Sequence, residues 1–196
     1  MDDSIDELLE VLSLSNKGET TFVGRGSGHE GYGLFGGHQL AQSIVSAYRS
    51  VSAERRLHSV HGFFLRGGDG KKNINYDVAN IRDGRAFCQR RVTASQDDKQ
   101  IFDLTASFHT PEKGPGVIAQ TAPRGAEPPE GLPTFEECMQ QVGPIFGEEW
   151  SEGPRPVEYR IENAPWAPNG PSEQGGINFW FRVRRQLPDE PEIHAA

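Results

Sequence analysis

The sequence lacks most of the features that mark specialised protein classes. Its 196 residues hold two cysteines, Cys88 and Cys138, with no C-x-x-C spacing. That excludes a disulfide scaffold and a cysteine-ligated zinc site, and it suits reduced thiols in a cytoplasmic protein. No apolar run approaches the roughly 20 residues a membrane helix needs, so no span is expected. The N-terminus, MDDSIDELLE, is acidic and has no basic n-region of a secretory signal. Lys and Arg number 20 against 28 Asp and Glu, for a net charge of −8. Such a balance speaks against general affinity for nucleic acid or anionic membrane and leaves only local basic patches to meet an anion. There is no G-x-S-x-G elbow, and no Ser or Cys nucleophile stands in a triad pattern with a histidine. His38, His58, His61 and His109 are scattered rather than set at ligand spacing, so neither a metal nor a cofactor is expected.

What remains is a globular chain of one domain or slightly more, with 35% apolar and 24% charged residues. Residues 4–14 read as a short helix, with Ser4 and Glu7 as a capping box and Ile5, Leu8, Leu9 and Leu12 on one face. A brief strand fits Thr20 to Val23. From 38 to 51, Leu40, Ala41, Ile44, Val45, Ala47, Tyr48 and Val51 recur at helical spacing, and Gln42, Ser43, Ser46, Arg49 and Ser50 fall between them. The period then changes to two in 59–66, 73–81, 86–95 and 100–109. Asp83-Gly84 and Asp97-Asp98 supply hairpin turns, so the last three of these strands form an antiparallel meander. A long helix against such a sheet is an α+β layer.

Six prolines and four glycines in 111–133 mark a connecting segment. A short helix follows at 134–142, opened by a Thr134/Glu137 capping box, then a strand at 157–161. "INFWFRVRR" (177–185) alternates clearly as a strand but has no sequential partner, which suggests pairing with the first sheet or with another chain. The expected organisation is therefore 1–110 as a first domain, 111–176 as connecting chain with a short helix, and 177–196 as the opening of a second domain.

The stretch "GRGSGHEGYGLFGG" contains G-x-G-x-x-G twice, at Gly26/Gly28/Gly31 and Gly31/Gly33/Gly36, with Glu54 about 20 residues on. A dinucleotide fold requires a parallel strand after the helix, and the short turns here rule out the crossovers that would build one.

The runs "LFGGHQLAQSIVSAYRSV", "LHSVHGFFLRGGD", "INYDVANIRDGRAFCQRRVTASQ", "QIFDLTASFH" and "FWFRVRRQLPDEPEIHAA" closely resemble the N-terminal half of the acyl-CoA thioesterase II (TesB-like) family and the start of its second half. The resemblance covers the chain from about residue 5 onward. His38 and Gly67 depart from it, where the family usually has Gln and Pro. It implies a hotdog fold, a long helix wrapped by an antiparallel sheet, as the first half of a double hotdog. It also implies hydrolysis of fatty acyl-CoA to free acid and CoA by an activated water. The family's catalytic Asp, Thr and Gln would fall beyond Ala196, so the resemblance carries no catalytic triad onto this chain.

Within the chain, His58 is the candidate general base, since neutral imidazole suits that role near pH 7. Gly36, Gly37, His38, His61, Phe64 and Arg66 are the candidate substrate-binding residues. The amides of Gly37 and His38 open a helix and suit a carbonyl oxygen or an anion. Against these stand plainer roles: His58 and His61 hydrogen-bonded within the sheet, and Phe63, Phe64, Phe87 and Phe108 as core rather than an acyl tunnel. Likewise Arg66, Lys71, Lys72, Arg82, Arg85, Arg90 and Arg91 are either CoA-phosphate contacts or a solvated face. An acyl-CoA partner and homo-oligomers formed by hotdog pairing are expected. The alternative is a non-catalytic single hotdog that binds acyl-CoA or serves assembly.

Overall fold

The computed structural model describes residues 4–26, 33–114, 128–142, 155–163, 170 and 176–196. The middle of the glycine stretch, 27–32, and most of the Pro/Gly-rich chain, 115–127, lie outside the described residues. The chain divides into a larger unit, residues 7–114 with 187–196, and a smaller one, residues 1–6 with 115–186.

After a short helix, α1 (Ser4–Leu12), the larger unit forms a six-stranded antiparallel sheet laid against a longer helix, α2 (Gly36–Tyr48). In chain order its strands are β1 (Ser15–Asn16), β2 (Thr21–Gly24), β3 (Arg56–Phe64), β4 (Ile74–Asp83), β5 (Phe87–Gln96) and β6 (Lys99–His109), and in space they run β1-β2-β4-β5-β6-β3. Period-two alternation places Ile74, Tyr76 and Val78, then Cys88, Val92 and Ala94, then Phe102, Leu104, Ala106 and Phe108 on the inner face, all buried against α2. Asp97 and Asp98 take φ of 49° and 58°, the left-handed pair that a two-residue hairpin needs to match strand twist. At the other turn the Gly84 amide donates to the Phe87 carbonyl at 2.9 Å.

β3 follows α2 directly yet lies at the far edge of the sheet, where among the described residues it pairs only with β6. Its ladder shifts register between Leu57 and Ser59, a bulge centred on His58. Val60, Phe63 and Phe64 on this edge strand and Leu65 just after it are exposed.

The polar residues of α2 do not form a solvated face. Gln39, Gln42, Ser43 and Ser46 are all buried. The serines satisfy themselves along the helix, Ser43 Oγ donating to the Gln39 carbonyl and Ser46 Oγ to the Ser43 carbonyl. Small hydroxyls let the helix lie close on β5 and β6, where Ala94 and Ala106 face it. The other side of α2 is met by α4 (Pro191–Ala195), a short helix not foreseen in the sequence, whose Ile193 and Ala195 join the core. Arg90, for which the sequence offered either a CoA-phosphate contact or a solvated face, is instead buried at the C-terminal end of α2. There it donates to the Ser50 carbonyl and hydroxyl and to Asp83. Phe108 is likewise core.

In the smaller unit the capping box forms as read. The Thr134 amide donates to Glu137 Oε2 at 2.7 Å and the Glu137 amide to Thr134 Oγ1 at 3.1 Å, opening α3 (Phe135–Val142). β7 (Val157–Ile161) pairs antiparallel with β8 (Phe179–Val183), so the terminal strand joins β7 rather than, as the sequence suggested, the first sheet. Glu158 is held by Arg160 at 2.6 Å and Arg182 at 3.1 Å.

Candidate active site at the start of the central helix

α2 begins without the usual cap. Its N-cap residue is Phe35, extended at φ −61°, ψ 133°, with no side-chain hydrogen bond and no acid in the first turn. The amides of His38 and Gln39 fold back onto the Phe35 carbonyl, but those of Gly36 and Gly37 have no acceptor among the described residues. The positive end of the helix dipole therefore stands with two unmet donors.

Aromatic rings lie over both positions, where any side chain would crowd them. A Cβ on Gly37 would sit 2.4 Å from the Phe35 ring, and one on Gly36 would sit 3.0 Å from the ring of Phe64. Phe64 reaches the helix start because it faces inward from β3, opposite Phe102, with ring centroids 4.7 Å apart. Phe35 and Phe64 are 68% and 60% exposed. Two free amides between two exposed aromatic rings can polarise a carbonyl oxygen and seat an apolar chain beside it. Phe35 was not singled out in the sequence, although it directly precedes the paired glycines.

Beneath the helix start lies a buried polar network. His38 Nε2 donates to the Arg25 carbonyl at 2.8 Å, since a carbonyl only accepts. Gln42 Nε2 donates to the carbonyls of Val11 at 2.6 Å and Arg25 at 3.1 Å, and Gln42 Oε1 accepts from Tyr76 at 2.8 Å. The network ties residues 11 and 25 to the first turns of α2. The signal for it was Gln42, a polar residue inside a broad apolar stripe.

Burial disfavours the charged imidazole and lowers the pKa of His38 from its ordinary 6.5, outweighing the hydrogen bond to Arg25. The consequence for stability has a definite sign. Above pH 6.5 neither state carries the proton. Below it the unfolded chain takes up a proton that the native state resists, so stability falls until the pH reaches the lowered native value. His38→Gln keeps a donor and removes the titration. In urea unfolding at pH 7.5 and 5.5, the wild type is expected to lose more stability than the variant over that interval. Equal losses would refute the assignment.

The other sequence candidates are dispersed. Arg66 lies just past β3, its Nη1 donating to the Gln100 carbonyl at 2.6 Å. His61 pairs across with Thr105 on the outer face, its ring 4.6 Å from that of Phe63. His58 also faces outward, Nε2 lying 3.1 Å from Ser107 Oγ. The structure thus brings Gly36, Gly37 and Phe64 together, sets His38 beneath them, and places His58 and His61 on the opposite face of the sheet. No group of three or more His, Cys, Asp or Glu able to hold a metal occurs among the described residues. No helix there is long and apolar enough to cross a membrane.

Residues 25–109 match the family model described as acyl-CoA thioesterase N-terminal domain. The chain is 32% identical over 198 residues to acyl-CoA thioesterase 2 of Haemophilus influenzae, covering 98% of this chain and 68% of that protein. It is 37% identical over 131 residues to human acyl-coenzyme A thioesterase 8, covering 67% of this chain and 41% of that one. Among solved structures, a tesB protein of Mycobacterium avium subs. paratuberculosis superposes with TM-score 0.74 at 30% identity, covering 98% and 66% of the two chains. Acyl-CoA thioesterase II TesB2 of Mycobacterium marinum gives TM-score 0.71 at 32% identity, covering 95% and 64%. The chain therefore spans two thirds or less of most of these relatives.

Proposed function

The chain belongs to the acyl-CoA thioesterase II (TesB-like) family, and we propose that it takes part in hydrolysis of fatty acyl-CoA, with the start of α2 receiving the thioester carbonyl. One observation carries this reading: the unmet amides of Gly36 and Gly37, set between the exposed rings of Phe35 and Phe64. In the reaction, water adds to the carbonyl carbon and the C–S bond breaks. The oxygen of the thioester carries negative charge in the transition state, and positioned N–H donors stabilise it. The rings hold the acyl chain.

Among the described residues, those at the helix start bind and polarise but include no carboxylate to activate water. His38 is neutral, with its Nε2–H committed to Arg25. That observation favours a second reading, an acyl-CoA-binding hotdog without turnover of its own. The same protein incubated with acyl-CoA and a thiol-reactive chromogen separates the two. Release of CoA thiol supports hydrolysis, binding without release supports the module, and neither result sinks both.

Gly36→Pro tests the amide directly. Proline suits the first helical position, and the extended Phe35 before it is compatible with the ring. The helix should persist with one donor fewer. A proline Cβ would press on the exposed Phe64 ring at 3.0 Å, as an alanine Cβ would, so Gly36→Ala, which keeps the amide, is the control; relative to it the proline variant should lose about 10²-fold in thioester turnover. If the protein binds without turnover, acyl-CoA affinity is the quantity that drops. An unchanged variant would remove the amide from the mechanism.

We further propose homo-oligomers formed through the free edge of β3, supported by the exposure of Val60, Phe63 and Phe64 there and of Leu65 beyond it. A cytoplasmic location is supported by the two buried free thiols, Cys88 and Cys138.

A further inference from the structure

The outer face of the sheet carries a second feature, at the corner where β3, β5 and β6 meet the β4–β5 turn. The bulge turns His58 outward onto Phe87 and His109, which pair directly across β5 and β6. The ring centroids of His58 lie 5.6 Å from those of both partners, and Phe87 and His109 stack at 6.3 Å with 29° between planes. Phe87 is 49% exposed, so this is an open aromatic platform rather than core.

Beside it the β4–β5 turn concentrates positive charge. Arg82 and Arg85 are exposed and make no ion pair among the described residues. The turn's one acid, Asp83, is already engaged by Arg90 at 2.7 Å. Arg55 braces the turn from below, donating to the carbonyls of Gly84 at 2.8 Å and Arg85 at 3.3 Å, and its Nη1 is buried without an acceptor. This corner is cationic on a chain of net charge −8.

Arginines with unmatched forks recognise phosphate bidentately, and flat aromatic surfaces take a nucleobase by stacking. We propose that this corner binds a purine nucleoside phosphate, the base on Phe87 and His109 and the phosphate between Arg82 and Arg85. Two sources share that chemistry: the adenosine 3′,5′-bisphosphate end of CoA, which rests on the reading above, and a free nucleotide such as ADP, which does not.

The test is calorimetric titration of the full 196-residue chain with adenosine 3′,5′-bisphosphate, 5′-ADP, adenosine and inorganic phosphate. The substituted side chains are exposed, so the variants should fold. Arg82→Gln/Arg85→Gln is expected to weaken nucleotide binding about tenfold or more, and Phe87→Ala to weaken nucleotides while sparing inorganic phosphate. Tighter binding of the 3′,5′-bisphosphate than of 5′-ADP identifies the CoA end, and equal binding identifies a free nucleotide. The proposal is overturned if the nucleotides do not bind, if both variants bind them as the wild type does, or if inorganic phosphate binds as tightly as the nucleotides. It is also overturned if the arginine substitutions change only self-association or adsorption to vesicles of anionic lipid. A fatty acyl-pantetheine, which lacks the nucleotide, is titrated in parallel. Its failure to bind would count against the thioesterase reading and leave the nucleotide result standing.

Discussion

Gln42→Ala is expected to destabilise the fold by about 4 kcal/mol and to lower the melting temperature by about 10 °C. The side chain is fully buried and makes three hydrogen bonds, two to backbone carbonyls of distant segments and one from Tyr76. Truncation leaves the Val11 carbonyl and the Tyr76 hydroxyl unpaired in an apolar surrounding, and such orphaned groups cost more than the bonds themselves contribute. Only the Arg25 carbonyl retains a partner, His38. Tyr76→Phe removes one bond and leaves one acceptor short, so it should cost about 1–2 kcal/mol. Chemical denaturation of both variants measures the difference. A Gln42→Ala loss below that of Tyr76→Phe would mean the network is not the tie described. Because the network anchors the chain beside the first turn of α2, acyl-CoA binding should weaken along with stability.

Arg90→Ala is expected to cost about 3 kcal/mol, while Asp83→Asn, which removes the partner charge but leaves Arg90 its acceptors on Ser50, Arg82 and Gln89, should cost about half as much or less. The asymmetry follows from burial. The Arg90 side chain is 4% exposed and that of Asp83 is 59% exposed. A carboxylate left alone at Asp83 is hydrated at once. Without Arg90, the Ser50 carbonyl beyond the end of α2 loses its donor and a buried space opens beneath the β4–β5 turn. Equal losses in the two variants, read by urea unfolding, would show that the ion pair rather than the buried hydrogen bonds sets the contribution.

Much of the fold was legible in local pattern. The capping box at Thr134, the Asp97-Asp98 turn and the period-two runs each signal through residues a few positions apart, and each formed where it was read. The other hairpin turns two residues later than Asp83-Gly84, because Asp83 still pairs with Cys88 and Gly84 with Phe87. β7 occupies the residues expected of it. The candidate site was half legible. Gly36 and Gly37 advertise a helix start whose backbone something must approach, but Phe35 and Phe64, which approach it, carry no such mark. β3 shows why the histidines were harder. Strict alternation from Phe64 back to His58 puts both on one face, and the register shift between Leu57 and Ser59 turns His58 to the other. The serines of α2 were hard to place for a different reason. Their hydroxyls bond back to the helix itself, so they enter a core that their polarity argued against.

By itself, then, the sequence determined the layer type, the antiparallel connections and the position of the exposed helix start. Periodicity, turn chemistry and glycine are properties of neighbouring residues. The tertiary structure decided which residues meet there. Phe64 is brought onto Gly36 by the pairing of an edge strand with β6, and Gln42 is bound to Val11 and Arg25 by burial of the helix. His58 is sent to the far side of the sheet by one residue inserted in a ladder. Each of these depends on contacts between distant segments, and local periodicity does not encode them.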